Sequence, residues 1–465
     1  SYATILDAME WLGLDWDEGP LKEGPYGPYL QSARQVLYHN EIAKMLDQGT
    51  AYRCFCTTDE LEEMRQDATE QGQSTHYDGR CRNLPSDEAE SRVRQQVPFV
   101  IRLNVPPGET KVYDLISGPI VFNNDELDDF VLMRSDGKPT YNFAAVIDDA
   151  KMCMSHVIRG DDHISNTPKQ ILIYKALDYA LPKFAHLPMI LGTDKTRLSK
   201  RHGAVSVQEF RRMGYLSDGL VNYLALLGWA LDDKTEFFTR EQLIKSFSLK
   251  RVSKNPAAFD PDKLNHIDGE HFKKLPLMEK VALVFDKLQE ENIFPADFNV
   301  SEWSISELDN GEQASVTERK ESDGSHYRDE LPRLAIIIKV MGNRLKNLKD
   351  APQILSYFFK DDYPRVEAAY EKFLSEPATA AHLKALAGEL ERLDSFDRGA
   401  IEQAARDLAE KRGVKAAEII HPCRVALTGD TVSPDLFSVI HLLGRAKSVE
   451  RLEKAVERIE GTPRT

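Results

Sequence analysis

Leu191-Gly-Thr-Asp-Lys-Thr-Arg-Leu-Ser-Lys-Arg-His-Gly-Ala204 is the stretch from which the rest of the chain can be read. Lys195, Arg197, Lys200 and Arg201 crowd around one small hydroxyl, Ser199, and the run closes on Gly203. Like charges this close repel, so the loop makes physical sense when a polyanion occupies it for part of the working cycle. Cationic heads fixed in advance stabilise negative charge growing on a departing polyphosphate. The competing reading is a solvated basic loop, and a short Lys/Arg-rich run taken alone favours it.

Upstream lie Tyr141-Asn-Phe-Ala-Ala-Val-Ile-Asp-Asp149 and His156-Val-Ile-Arg-Gly-Asp-Asp-His-Ile-Ser-Asn-Thr-Pro-Lys-Gln170. Ala144-Ala-Val-Ile147 and Ser155-His-Val-Ile read as short apolar strands, and Thr167-Pro168 opens a helix with proline at its first position. Strand, polar turn and helix in that order present ligand sites at the carboxyl ends of strands. Arg159 to His163 fall at such an end.

Arg197-Leu-Ser-Lys200 resembles the KMSKS signature of class I aminoacyl-tRNA synthetases, and the run through Ala204 is similar to its bacterial glutamyl-tRNA synthetase form. Arg197 stands where the signature's name has Lys, a planar fork in place of a point charge. The two upstream stretches resemble the same family, in the same order and at a similar distance. The resemblance implies catalytic roles for Arg197, Ser199 and Lys200, with Arg197, Lys200 and Asp162 on ATP and its Mg²⁺. It places Tyr141 and Arg159 in the glutamate pocket, the arginine holding a carboxylate through two parallel hydrogen bonds. Asp162 would lie near the adenosine, where a carboxylate suits ribose hydroxyls; the alternative for Asp161 and Asp162 is an exposed turn pair. His163 reads as pocket wall or packing.

Cys54-Phe-Cys56 and His76-Tyr-Asp-Gly-Arg-Cys81 flank a charged helical stretch. Three thiolates could share one structural Zn²⁺, which takes four ligands. Some synthetases of this family carry Cys-x-Cys and Cys-x-His here. This chain has Asn83 in the last position, so a fourth ligand would be Tyr77 or His76, and the alternative is three reduced thiols in a module that folds without metal. Val97 to Leu132 reads as β-rich, with turns at Pro106-Pro-Gly108 and Asn123-Asn124.

Towards the N-terminus, Ile5, Met9 and Leu12 at helical spacing end on Gly13, and a second helix runs from Ser32, as N-cap, to Gly49. Gly24-Pro-Tyr-Gly-Pro-Tyr-Leu-Gln-Ser32 between them is a turn segment similar to one that follows the family's first nucleotide-binding strands. The family's HIGH signature is not found in these 465 residues. The resemblance therefore implies a further segment before Ser1, and the alternative reading is a catalytically incomplete, tRNA-binding relative.

Towards the C-terminus, Leu220 to Trp229 reads as a buried helix and Arg333 to Leu348 as an amphipathic one, with Leu334, Ile337, Ile338 and Met341 inward and cations outward. Asn299 to Tyr327 is a polar excursion. Cys153 and Cys423 sit on apolar segments and read as buried. An all-helical tail is similar to the bacterial glutamyl enzyme; the glutaminyl relative carries β-barrels there, and the paralogue that glutamylates a wobble base lacks this half altogether.

The chain has 42% apolar and 29% charged residues and a net charge of −15. That charge argues against indiscriminate nucleic-acid binding but leaves room for local basic tracks. Residues 191–215 hold six Lys/Arg against two Asp/Glu, and 333–349 hold five against none. Five cysteines with no export signal, and no run of about 18 apolar residues, suggest a reducing cytoplasmic setting with no membrane span.

The expected fold is multidomain α/β: a class I Rossmann-type catalytic core with its first part missing, an inserted α+β acceptor-binding domain, and an all-α anticodon-binding half. The expected boundaries are 1–50 and 135–190 for the core, 51–134 for the insertion, 191–262 for the signature loop and stem contact, and 263–465 for the helical half. The function that the resemblance implies is ATP-dependent attachment of L-glutamate to tRNA-Glu through a glutamyl-adenylate, by a monomer.

Overall fold

The computed structural model describes residues 2–72, 75–199, 206–293, 303–305, 316–318 and 330–461. Lys200, Arg201 and Gly203 of the basic loop, and most of the polar excursion between 299 and 327, lie outside the described residues. In chain order the elements are α1 (Tyr2–Trp11), α2 (Gln35–Asp47), β1 (Ala51–Cys54), α3 (Thr58–Glu70), α4 (Ser86–Arg94), β2 (Val100–Leu103), β3 (Glu109–Asp114), β4 (Gly118–Asn123), β5 (Val131–Met133), α5 (Tyr141–Lys151), β6 (His156–Gly160), α6 (Thr167–Ala176), β7 (Lys183–Leu187) and β8 (Ile190–Leu191). There follow α7 (Val207–Met213), α8 (Ser217–Leu226), α9 (Arg240–Ser246), β9 (Ala257–Ala258), α10 (Pro261–Lys274), α11 (Leu277–Glu290), β10 (Trp303–Ile305), β11 (Val316–Glu318), α12 (Glu330–Met341), α13 (Ala351–Phe359), α14 (Glu367–Phe373), α15 (Pro377–Arg392), α16 (Arg398–Arg412), α17 (Ala417–Thr428), α18 (Leu436–Leu443) and α19 (Arg445–Gly461). None of the described helices is long and apolar enough to cross a membrane.

The chain divides into two compact units, Ser1–Gly203 with Leu224–Asp260, and Ala204–Tyr223 with Pro261–Thr465. In the first unit a four-stranded sheet runs in the order β4-β3-β7-β6. β6 and β7 are parallel, His156 opposite Lys183 through to Gly160 opposite Leu187. The hairpin β3–β4 is antiparallel and joins β7 in parallel at Asp114 and Phe184. A separate three-stranded sheet, β1-β2-β5, is antiparallel throughout. The core of this unit gathers Tyr38, Ile42 and Met45 of α2, Phe143 and Ile147 of α5, Ile173 of α6, and Val112 and Phe184 of the sheet.

Three local expectations are corrected here. Ala144-Ala-Val-Ile147 is not a strand: α5 buries Phe143, Ala144, Val146 and Ile147, the i, i+1, i+3, i+4 pattern of one helix face. A run of four apolar residues is equally compatible with a strand and with a buried helix segment, and here the longer periodicity decides. Ser32 is not an N-cap but lies in a 3₁₀ turn, Gln31–Ala33, and α2 begins after Arg34. Arg34 is 1% exposed; it donates to Asp148 Oδ1 at 2.6 Å and to the carbonyls of Pro28 and Tyr26 at 2.6 and 3.2 Å. This ties the Gly/Pro segment to α5. Cys153 is exposed, in a turn after α5 with φ +55°, while Cys423 is fully buried.

Among its described residues the second unit is helical apart from the short antiparallel ladder of β10 and β11, which falls in the polar excursion. Its core includes Val281, Phe285 and Leu288 of α11, Leu334, Ile337 and Met341 of α12, and Leu383, Leu427 and Leu452 further on. The inward positions of α12 are those the sequence indicates, but the helix stops at Met341, because Gly342 takes φ +49°. Two cations of the basic 333–349 stretch, one on α12 and one beyond it, are tied inside the unit. Arg333 donates to the carbonyls of Leu442 and Phe358, and Lys349 to Asn265 Oδ1 at 2.5 Å. α8 is buried on one face only: Leu220 and Tyr223 are inside, Leu224 is exposed.

Candidate active site

Arg159 is the penultimate residue of β6, at the carboxyl edge of the parallel pair, and three neighbours hold its guanidinium. Nε donates to His186 Nε2 at 3.2 Å, and Nη2 donates to Thr167 Oγ1 at 2.9 Å and to Gln170 Oε1 at 2.8 Å. An arginine has five N–H groups. These contacts use Nε–H and both hydrogens of Nη2, so Nη1 is the edge left for a ligand. The two-pronged grip expected from the sequence is thus reduced to one nitrogen in this arrangement.

The support behind Arg159 is buried. His186 Nδ1 lies 2.7 Å from Asp114 Oδ2, and neither side chain is exposed. Because Nε2 accepts from Arg159, the ring proton sits on Nδ1 and is donated to the carboxylate. Asp114 Oδ1 in turn accepts from the backbone N–H groups of Ile116 and Ser117 at 2.9 and 2.8 Å. The hairpin turn therefore fixes a carboxylate, the carboxylate fixes a histidine tautomer, and the histidine fixes the arginine.

On its other side Gln170 Nε2 donates to Asn142 Oδ1 at 3.1 Å, next to Tyr141 at the start of α5. Tyr141 is 53% exposed, and its ring lies 5.8 Å from that of His163. His163 thus sets its ring against that of Tyr141. Asp149 is pushed up to about 6, mainly by burial and then by the negative charge of Asp148. Asp161 is half-buried with Oδ1 unpartnered, whereas Asp162 is exposed.

The basic loop starts from a small hairpin. Gly192 N–H donates to the Thr196 carbonyl at 2.8 Å, and Leu198 N–H to that of Ile190 at 3.0 Å. Asp194 Oδ1 closes the turn on Thr196 N–H and hydroxyl at 2.9 and 2.7 Å, and Lys195 takes φ +61° within it. β8 is anchored beside β9. The hairpin carries Arg197 to Asp162, Nη2 to Oδ2 at 3.2 Å, both side chains open to solvent. Ser199 is exposed.

The three cysteines do converge. Their Sγ atoms lie within 4.8 Å of one another, Cys56 and Cys81 at 3.6 Å. The Tyr77 hydroxyl is 3.3 Å from Cys54 Sγ and 3.7 Å from Cys56 Sγ. His76 turns to Asp128 instead, at 3.0 Å. The Cys54 thiol is held well below its ordinary value, first by the Cys81 hydrogen bond, while Cys81 is pushed up.

Asn142, Thr167 and Gln170 lie in the quoted stretches without a site role read for them, and Asp114 and His186 lie outside them. For His186 the legible signal is a lone polar residue inside an apolar strand, Phe184-Ala-His-Leu187.

This geometry can be set beside known proteins. The profile of class I tRNA synthetases (E and Q), catalytic domain, matches residues 1–266, and an anticodon binding domain profile matches 313–456. The chain therefore belongs to the class I tRNA synthetases of the glutamate and glutamine type. Within them its relatives are glutamate–tRNA ligases: 43% identity to that of Moorella thermoacetica, over 98% of this chain and 87% of that protein. The ligase of Thermodesulfovibrio yellowstonii is 41% identical over 98% and 88%. The crystal structure of a glutamate tRNA ligase from Elizabethkingia meningosepticum, in complex with its amino acid, superimposes with a TM-score of 0.80 at 29% identity, covering 98% of this chain and 89% of that one.

Proposed function

We propose that the chain joins L-glutamate to tRNA-Glu at the expense of ATP, as a monomer in the cytoplasm. The glutamate carboxylate attacks the α-phosphate of ATP, releasing pyrophosphate and leaving a glutamyl-adenylate. The terminal ribose hydroxyl of the tRNA then takes the acyl group and AMP departs. No protein nucleophile takes part, so the residues contribute position and charge.

The observation that carries this reading is the buried Asp114–His186–Arg159 relay, which aims one guanidinium nitrogen, Nη1, from a strand end where a carboxylate would lie. Tyr141 borders the same pocket. Arg197 would exchange its Asp162 partner for the polyphosphate, which leaves Asp162 to the ribose; Lys200 acts on the same phosphates and Ser199 lies between the two cations. Mg²⁺ accompanies ATP.

Cys54, Cys56, Cys81 and the Tyr77 hydroxyl would hold a structural Zn²⁺. A tetrahedral site with Zn–S near 2.3 Å sets sulfur atoms about 3.8 Å apart, and the 3.6 Å between Cys56 and Cys81 fits that. Such an ion would brace the loop and take no part in the reaction.

The test is attachment of labelled glutamate to tRNA-Glu, with and without ATP. ATP-dependent charging is expected, and Lys200→Ala should cut adenylate formation far more than thermal stability. Charging that survives unchanged in that variant removes the role given to Lys200; no charging by a folded chain that still binds tRNA removes the ligase reading.

A further inference from the structure

A cavity of about 740 Å³ opens in the second unit among α10, α11, α12 and the turns after α12. Nothing in the proposed reaction uses it, and its size is that of a small-molecule site. Its wall carries Lys273, Lys280, Lys339 and Lys346 against the single carboxylate of Glu270, a local +3 in a chain of −15. Lys273 leans on Glu270 at 3.8 Å, and Lys280 donates to the Lys273 carbonyl at 2.9 Å. Lys339 and Lys346 are exposed and have no ion-pair partner among the described residues.

Asn347, on the same wall, is 7% exposed, yet its Oδ1 has no hydrogen-bond partner among the described residues. A buried amide oxygen without a donor is costly, and a ligand N–H or O–H would relieve it. Gly269 keeps the approach open. A Cβ there would come within 3.1 Å of both Asn347 Oδ1 and the Lys346 carbonyl. Phe272 and Ile338 give the cavity an apolar side.

Two exposed cations, an apolar side and one buried acceptor fit a ligand that joins an anion to a ring bearing donors. We propose that this cavity binds a free nucleotide, its phosphate at Lys339 and Lys346 and a base or ribose donor on Asn347 Oδ1.

Hydrogen–deuterium exchange on the full chain tests this, following residues 261–280 and 338–350 with AMP and, separately, with tRNA-Glu. Protection by AMP is expected, weakened tenfold or more in affinity by Asn347→Ala and by Lys339→Ala/Lys346→Ala, with melting unchanged. Protection by tRNA alone overturns the proposal and leaves the wall as part of the tRNA contact. No protection by either, or protection indifferent to both variants, overturns the proposal. Charging measured on the same preparation separates the two readings: charging without protection sinks the cavity alone, and AMP protection without charging sinks the ligase reading alone.

Discussion

Asp114 touches no ligand in this reading, yet it decides how Arg159 is presented. Asp114→Asn would offer His186 Nδ1 a donor where it now finds an acceptor, turn the proton to Nε2 and set it against Arg159 Nε–H. Hydrogen bonds to charged groups are worth about 1.5–3 kcal/mol, roughly tenfold to a hundredfold. The expected result is a rise of that order in the KM for glutamate, with the KM for tRNA-Glu little changed; equal glutamate KM values in steady-state charging would refute it. Asp268 offers a second residue-scale test. It is fully buried, accepts from Leu216 N–H at 2.8 Å, and has Oδ2 unpartnered. Burial pushes it up to about 7 from 3.8. The folded state then binds more protons than the unfolded one between about pH 4 and pH 7, so this group's contribution to stability falls as pH rises through that window. Asp268→Asn keeps an acceptor for Leu216 and removes the charge. It should melt higher than the parent at pH 8, and the gain should vanish near pH 4; a gain that does not depend on pH would count against this account. The residues quoted from the motifs were readable because their types announce charge chemistry. Asp114 and His186 were not, since 72 positions separate them and only the sheet brings them together.

At the scale of elements, Gly214 ends α7 with φ +90°, and a Cβ there would stand 3.0 Å from Lys349 Cα. Backbone strain and the clash act together, so Gly214→Ala should cost about 1–3 kcal/mol, read as a lower denaturation midpoint at unchanged slope. The cysteine loop makes a different prediction. If the proposed zinc is bound, purified protein carries about one equivalent per chain, Cys56→Ser loses it, and a strong chelator lowers the melting temperature of the parent but not of the variant. Metal-free parent protein of undiminished stability would dismiss the ion. Helix ends marked by Gly13 and the proline-opened α6 were legible, because capping chemistry is local. The middle of α5 reads as a strand and α12 as running seven residues further than it does, because apolar content over a few residues does not distinguish a helix from a strand and a lone glycine such as Gly342 is a weak stop signal inside an apolar pattern.

For the molecule as a whole, negative total charge coexists with separate basic tracks, so binding to nucleic acid should be selective and sensitive to salt. Affinity for tRNA-Glu should fall linearly on a log–log plot against salt, each phosphate contact adding about 0.7–0.9 to the slope, while unrelated duplex DNA at the same salt is not retained. A flat salt response in filter binding would contradict this. The order of catalytic and helical halves was legible from two motifs and the run of helical periodicity. How the strands assort into sheets was not, since strand pairing is set by contacts distant in sequence.

The hairpin β3–β4 has a consequence for anyone exchanging modules between relatives. It lies between the strands of the three-stranded sheet in sequence but is bonded to the sheet that holds Arg159. A chimera cut at 51 and 134 would import a foreign carboxylate beneath Arg159, or none. A graft that leaves residues 109–123 with the host exchanges the outer sheet and keeps the host's own relay.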